Sequence, residues 1–249
     1  MSKNNDSKQK PQGFFKEMLP SLFAALFLAV FVRSLFFEPF HIPSSSMKPN
    51  LLIGDYIFVK KYSYGYTKYS FPFASFNLFS GRFFNKNKPQ PGDVAVFRLP
   101  KNPTINYVKR IIGKPGDKIQ VIKGILYIND KKINQENIGT YFDEDNQLTL
   151  DLIKETLPNN TIQKILNQHD HYSKDYTDIY FVPKDHYFVM GDNRDNSQDS
   201  RFLNEVGFIH QDYFIGKAAI IFFSANDSIF KFWKLHQSIR FNRIFDKIK

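Results

Sequence analysis

Cysteine is absent from the 249 residues. That excludes thiol catalysis, thiolate metal sites, iron–sulfur clusters and disulfides, and leaves the redox compartment unread. Acidic residues are short: 24 Asp and Glu against 34 Lys and Arg give a formal charge of +10. Apolar runs are scarce too, and the mean hydropathy of −0.39 excludes a chain that crosses a membrane many times. What remains, with 42% hydrophobic and 23% charged residues, has the composition of a folded protein. Its length suits one large domain or two modest ones, with a core that needs no covalent staples.

One apolar run does exist. From Met18 to Val32 no charge interrupts the chain, and beyond Arg33 the apolar character resumes through Leu35, Phe36 and Phe37. About twenty such residues cross a hydrocarbon layer as a helix, with Arg33 near the far end extending its charge to the interface. Lys3, Lys8, Lys10 and Lys16 precede the run, so the positive-inside rule keeps a head of residues 1–17 in the cytoplasm and sends the rest outward. A cleaved leader would need a small-x-small site after the run, where Arg33, Phe36 and Phe37 stand instead. A buried core helix would carry a polar face. An uncleaved anchor over residues 18–37 is expected.

Beyond the anchor the pattern is β. Residues 56–62, 94–99, 105–113, 118–122, 125–128, 187–190 and 215–223 are short runs rich in β-branched and aromatic residues, parted by turn signals such as Pro91-Gly92-Asp93 and Pro115-Gly116-Asp117. Strands without intervening helices predict coiled antiparallel sheets, a barrel or a sandwich. The fold class is therefore mostly β after one transmembrane helix, with a body of residues 38–133 and 186–249. Residues 134–185 are acid-rich; Leu148–Leu157 and Ile162–Leu166 have helix-like apolar spacing around Pro158. They predict a small α/β insertion or cap, solvated. Basic residues are dispersed, with no helix-turn-helix or RNP-like pattern, so no nucleic-acid partner is expected; a positive domain beside an anionic bilayer accounts for the charge. Two aromatic stretches, 71–84 and 229–245, are read as a membrane-surface contact and a final strand, respectively.

Three segments could carry chemistry. Pro43-Ser44-Ser45-Ser46-Met47-Lys48-Pro49 is a hydroxyl-rich turn pinned by prolines, or a polar linker. Its S-x-x-K spacing also occurs in β-lactamases, but that motif needs a helix, which Pro43 and Pro49 oppose. In Tyr107-Val108-Lys109-Arg110-Ile111 strand alternation puts Lys109 among apolar neighbours. If buried, its amine loses affinity for a proton and becomes a usable base; if at an edge, it snorkels. The run from Met190 to Arg201, MGDNRDNSQDSR, follows an apolar strand and must fold as a hydrogen-bonded loop; it lacks the phasing of a calcium loop. His169 and His171 flank Asp170 as a metal pair or a solvated turn, and His41 leaves a Ser–His–Asp arrangement open.

Four segments in this order, IPSSSMKPNLLIGDYIFV, GDVAVF, YVKRIIGKPGD and MGDNRDNSQDSR, resemble the bacterial type I signal peptidases, serine proteases with a lysine base. The resemblance runs from the anchor to the last strand, the 134–185 insertion excepted. It implies a membrane-bound endopeptidase that removes signal peptides from exported preproteins, with no metal or organic cofactor. By the same likeness Ser46 is the nucleophile and Lys109 the general base; the Ser44 hydroxyl joins the Ser46 N–H in the oxyanion hole. Ser197 would hold the lysine amine, with Asp199, Arg201, Arg110 and Asp192 bracing the site. Phe40, Ile42, Leu52, Val96 and Val108 would line shallow pockets for small substrate side chains at −1 and −3. The implied setting is a bacterial plasma membrane, spanned once, with a cytoplasmic N-terminus and an outward catalytic domain; a monomer is expected. Asn50 stands where the family usually has Thr, and many Gram-negative relatives carry two spans where this chain shows one. A Ser/Lys acyl-transfer enzyme with another membrane-surface substrate, and a membrane-anchored interaction module without turnover, are the alternatives.

Overall fold

The computed structural model describes residues 13–71, 80–84, 87–168, 174–226 and 238–248. The first element is a helix, α1 (Gly13–Leu35). Its 18 residues from Met18 to Leu35 have a mean hydropathy of 2.0, and none of them is buried against the rest of the protein. Twenty-three helical residues reach about 35 Å, enough to cross a bilayer. Leu22, Phe23 and Phe27 are each more than 60% exposed, so the helix is no core element. It ends at Leu35, and Phe37 already opens the first strand. Its terminal carbonyls find partners in the body: Lys61 Nζ donates to Arg33 O at 2.8 Å and Tyr66 Oη to Leu35 O at 2.6 Å.

The strands are β1 (Phe37–His41), β2 (Asp55–Lys60), β3 (Val94–Leu99), β4 (Asn102–Gly113), β5 (Lys118–Ile122), β6 (Ile125–Ile128), β7 (Lys131–Lys132), β8 (Asn134–Asp143), β9 (Leu148–Thr156), β10 (Ile162–Asn167), β11 (Tyr180–Phe181), β12 (His186–Met190), β13 (Ile209–His210) and β14 (Phe214–Ser224). They form antiparallel sheets, as the alternating runs predict. The main sheet has the order β1-β2-β14-β3-β4-β12-β13. Register shifts interrupt four of its ladders, and each such bulge adds bend and twist to the sheet. Strand β3 sits centrally and is buried on both faces. Val94 and Val96 point into a cluster with Ile42, Met47, Leu51, Ile57 and Val59. Ala95 and Phe97 point the other way, into one with Tyr64, Ile111, Tyr187 and Phe214. A second sheet, β11-β5-β6-β7, closes over Ile112, Phe188 and Met190.

The insertion departs from expectation. Where the spacing predicts helices over 148–157 and 162–166 there are the strands β9 (148–156) and β10 (162–167), and β10-β9-β8 make an antiparallel sheet of their own. The leucines at 148, 150 and 152 also satisfy a period of two, and Thr149, Ile153 and Thr156 favour the pleat. Neighbouring strands, which short-range spacing does not register, decided between the two periods. Tyr180 and Phe181 pair with β5 and so belong to the second sheet rather than the cap.

Of the aromatic stretches, residues 72–79 and 227–237 lie outside the described residues. Phe71, Phe83 and Phe84 surround Tyr66 at ring separations of 6.3–6.4 Å, beside the end of α1. The described part of the tail is a single turn, Phe241–Arg243, with isolated bridges from Ile239 to Ala225 and from Lys247 to Ile220 rather than a continuous final strand. His169, Asp170 and His171 also lie outside the described residues.

Candidate active site

The serine turn is the connection between β1 and β2. Its ends are closed by Ile42 N to Asp55 O (2.8 Å) and Gly54 N to Ile42 O (3.0 Å). Gly54 has φ +85°, and a Cβ there would meet the Ala225 carbonyl oxygen at 2.0 Å, so only glycine closes this loop. Within it Ser45–Met47 form one tight turn that turns Ser46 and Met47 inward. Asp55, fully buried, anchors the base: it accepts from Leu52 N and from Arg243 of the tail.

Strand β4 brings Lys109 to this turn. Its Nζ lies 2.6 Å from Ser46 Oγ, and the two side chains are 4% and 7% exposed. Burial lowers the Lys109 pKa from 10.5 to about 8; Asp199 and Asp192 partly oppose this, and Arg201 adds to it. About a quarter of the amines are then uncharged at pH 7.5, against about one in a thousand for an ordinary lysine. The Tyr107 ring lies 5.3 Å from the amine. Ser44 Oγ stands 3.3 Å from Ser46 Oγ.

The loop after β12 packs against both groups. Gly191 sits where a Cβ would strike Ser197 Oγ at 2.2 Å and the Ser46 carbonyl oxygen at 2.5 Å, so glycine lets the loop backbone touch the serine turn. Asn193 N donates to Ser46 O at 3.1 Å, and Asn196 Nδ2 to Ser45 Oγ at 2.8 Å. Asp192 takes Arg110 in a two-pronged pair (2.8 and 2.7 Å), and Asp199 takes Arg201 likewise (2.9 and 2.9 Å). For Asp199 the guanidinium, the Gly191 N–H and neighbouring donors outweigh burial and keep its pKa below the usual carboxylate value.

The structure thus brings together Ser44, Ser46, Lys109, Arg110, Asp192, Asp199 and Arg201. Ser197 is buried in the same loop, but its Oγ makes no hydrogen bond to the Lys109 amine, whose hydrogen bond goes to Ser46. Of the apolar five, Ile42 and Val96 are buried in one cluster, with Phe40 and Val108 packed against it; Leu52 is half-buried outside it. A cavity of about 870 Å³ lies between α1 and the ends of β2 and β14, and none of the site residues lines it. Among the described residues no cluster of three or more His, Asp or Glu is placed to hold a metal ion.

Several partners were not legible as site residues. Asn50 donates to Asp192 Oδ2 and to Lys164 O, each at 2.7 Å; its departure from Thr was the only sign. Lys48 reaches Asp143 and Asp145 at 2.5 Å each, and Arg194 pairs with Glu155. These partners are 39 to 142 residues apart, and no local motif announces them.

A buried hydroxyl against a depressed amine, on a β body carried by an apolar helix, is the layout of a membrane-anchored serine hydrolase. Comparison with known proteins narrows this. The profile of the family described as "Signal peptidase, peptidase S26" matches residues 15–223. The signal peptidase I of Rickettsia typhi is 42% identical, the alignment covering 98% of each chain. That of Rickettsia prowazekii is 41% identical over 100% of this chain and 98% of its own, and that of Rickettsia conorii 44% over 88% and 87%. A solved structure of a signal peptidase I from Enterococcus faecalis is 26% identical, covering 53% of this chain and 97% of its own, at a TM-score of 0.32. The chain belongs to the signal peptidase family. It is a membrane-anchored serine endopeptidase that removes signal peptides from preproteins.

Proposed function

We propose that Ser46 and Lys109 carry the peptide-bond cleavage. The observation behind this reading is the 2.6 Å contact between a buried hydroxyl and an amine whose pKa falls to about 8. The neutral amine takes the Ser46 proton as Oγ attacks the scissile carbonyl. The Ser44 hydroxyl and the Ser46 N–H stabilise the oxyanion. Collapse breaks the C–N bond, and the Lys109 ammonium gives its proton to the leaving amine. Water, deprotonated by the same lysine, then hydrolyses the serine ester and frees the signal peptide. Asp192 with Arg110 and Asp199 with Arg201 hold the strand and loop around the pair, and Ser197 fills the loop beside them. Phe40, Ile42, Leu52, Val96 and Val108 form the apolar floor that admits small side chains at −1 and −3.

Residues 1–17 are the cytoplasmic head, 18–37 the anchor, 38–133 and 186–249 the catalytic body, and 134–185 contain the cap. The body faces outward from a bacterial plasma membrane and acts as a monomer. Tyr66, Phe71, Phe83 and Phe84, beside the helix end, rest on the outer surface, a reading supported by the 77% exposure of Phe84. Cleavage of a detergent-solubilised preprotein tests the assignment: Ser46→Ala and Lys109→Met each abolish it while the protein stays folded. Full activity in either variant removes that residue from its role.

A further inference from the structure

The insertion is wired into the site at both halves. On adjacent strands Gln135, Glu155 and Gln163 stand directly opposite one another. Both amides donate to the Glu155 carboxylate, at 2.8 and 2.6 Å. The same carboxylate receives both terminal nitrogens of Arg194, at 2.9 and 2.5 Å, and Glu155 is wholly buried. Arg194 lies in the loop that flanks Lys109. Its Nε donates to Gly191 O at 3.2 Å, and its carbonyl accepts from Arg201 at 2.5 Å. Backbone bonds reinforce the join: Leu166 N to Asp192 O and Arg194 N to Leu166 O, both 2.9 Å. On the other side Lys48, two residues from Ser46, is held by Asp143 and Asp145.

A solvated flap needs none of this. A buried carboxylate with four donors, from the strands on either side and a facing loop, is held in one geometry. We infer that the β8–β10 sheet is a wall of the active site, and that Glu155, acting through Arg194, is a positioning residue for Ser46 and Lys109. The inference rests on the assignment of those two residues above. Glu155 fixes Arg194; Arg194 fixes Gly191 and Arg201; those two fix Asp199, whose Oδ2 accepts from Gly191 N at 3.0 Å. The groups that face the Lys109 amine are Ser46, Tyr107, Asp192, Asp199 and Arg201, and this chain of contacts sets the place of the last two.

The test is the pH dependence of preprotein cleavage by the full-length enzyme in detergent, comparing wild type with Glu155→Gln, which keeps the shape and removes the charge. The expected result is a fall in kcat of about 10- to 100-fold with KM within about twofold. The pH midpoint moves up by about one unit as the loosened loop lets water reach Lys109. Wild-type kcat and midpoint overturn the inference; so does a lower rate matched by a smaller folded fraction with the midpoint unmoved. If Glu155→Gln does not fold, Lys48→Met carries the test from the other tether: a raised midpoint supports the inference and an unchanged one overturns it. Ser46→Ala, run beside these, separates the two claims, because its activity reports only on the nucleophile.

Discussion

Lys109, Lys48 and Lys61 are all buried, with exposures of 4%, 4% and 1%, yet only Lys109 has its pKa carried down to about 8. Lys61 lies between Glu38 at 2.7 Å and the carbonyls of Arg33 and Ser70. Burial lowers its pKa, and Glu38 works against that. For Lys48 burial is again the largest influence, but Asp143 and Asp145 outweigh it and the pKa rises. Lys109 has a hydroxyl where the others have carboxylates. The acids near it are already taken, Asp192 by Arg110 and Asp199 by Arg201. Burial is thus common to all three, and the guanidinium groups make the difference by occupying the carboxylates that would hold the ammonium. A base is made by what its neighbours are already bound to.

The sharpest break between the lysines is in activity. Lys109→Met or Ser46→Ala lowers kcat for preprotein cleavage by about a thousandfold or more, whereas Lys61→Met leaves short-peptide cleavage within about threefold. Single-turnover assays at saturating substrate check this; comparable losses in all three would erase the distinction.

Stability reverses the order. Lys61→Met takes the buried amine from two carbonyls and from Glu38, which keeps Arg33 at 3.5 Å, and lowers unfolding free energy by about 3 kcal/mol. Lys109→Met relieves a cost. With a folded pKa of about 8 against 10.5 unfolded, that cost is on the order of 3 kcal/mol below pH 8. Between those two values the unfolded chain binds more protons, so wild-type stability rises with pH, and above the upper one the cost is gone. Lys109→Met therefore melts about 3–10 °C higher than wild type at pH 7, an advantage that shrinks above pH 8. Thermal melts across pH measure both effects, and a destabilised Lys109→Met would mean that the site carries no such cost.

Lys48→Met falls between, with a loss of about 1–3 kcal/mol, because Asp145 is 55% exposed and keeps its water while Asp143 does not. The smallest effect is the position of the wild-type pH profile: kcat/KM rises with pH to a midpoint near 8 as Lys109 gives up its proton. A midpoint below 7 would point to a different base.

The sequence by itself determined the apolar helix, because eighteen residues without a polar face have one stable place. It determined half of the fourteen described strands as well, and 94–99, 118–122 and 125–128 match β3, β5 and β6 residue for residue, since alternation and turn residues are local signals. The motif residues, Ser46, Lys109 and the run from Met190 to Arg201, were legible for the same reason. Residues 148–166 were not, because their leucines fit two periods and only pairing with neighbours could choose. Nor could any local rule show that Glu155 meets Arg194 or that Lys48 meets Asp143, contacts made across 39 and 95 residues. The charge state of Lys109 belonged to the tertiary structure as well: a proton's affinity depends on every group within a few ångströms, and folding alone assembles that neighbourhood.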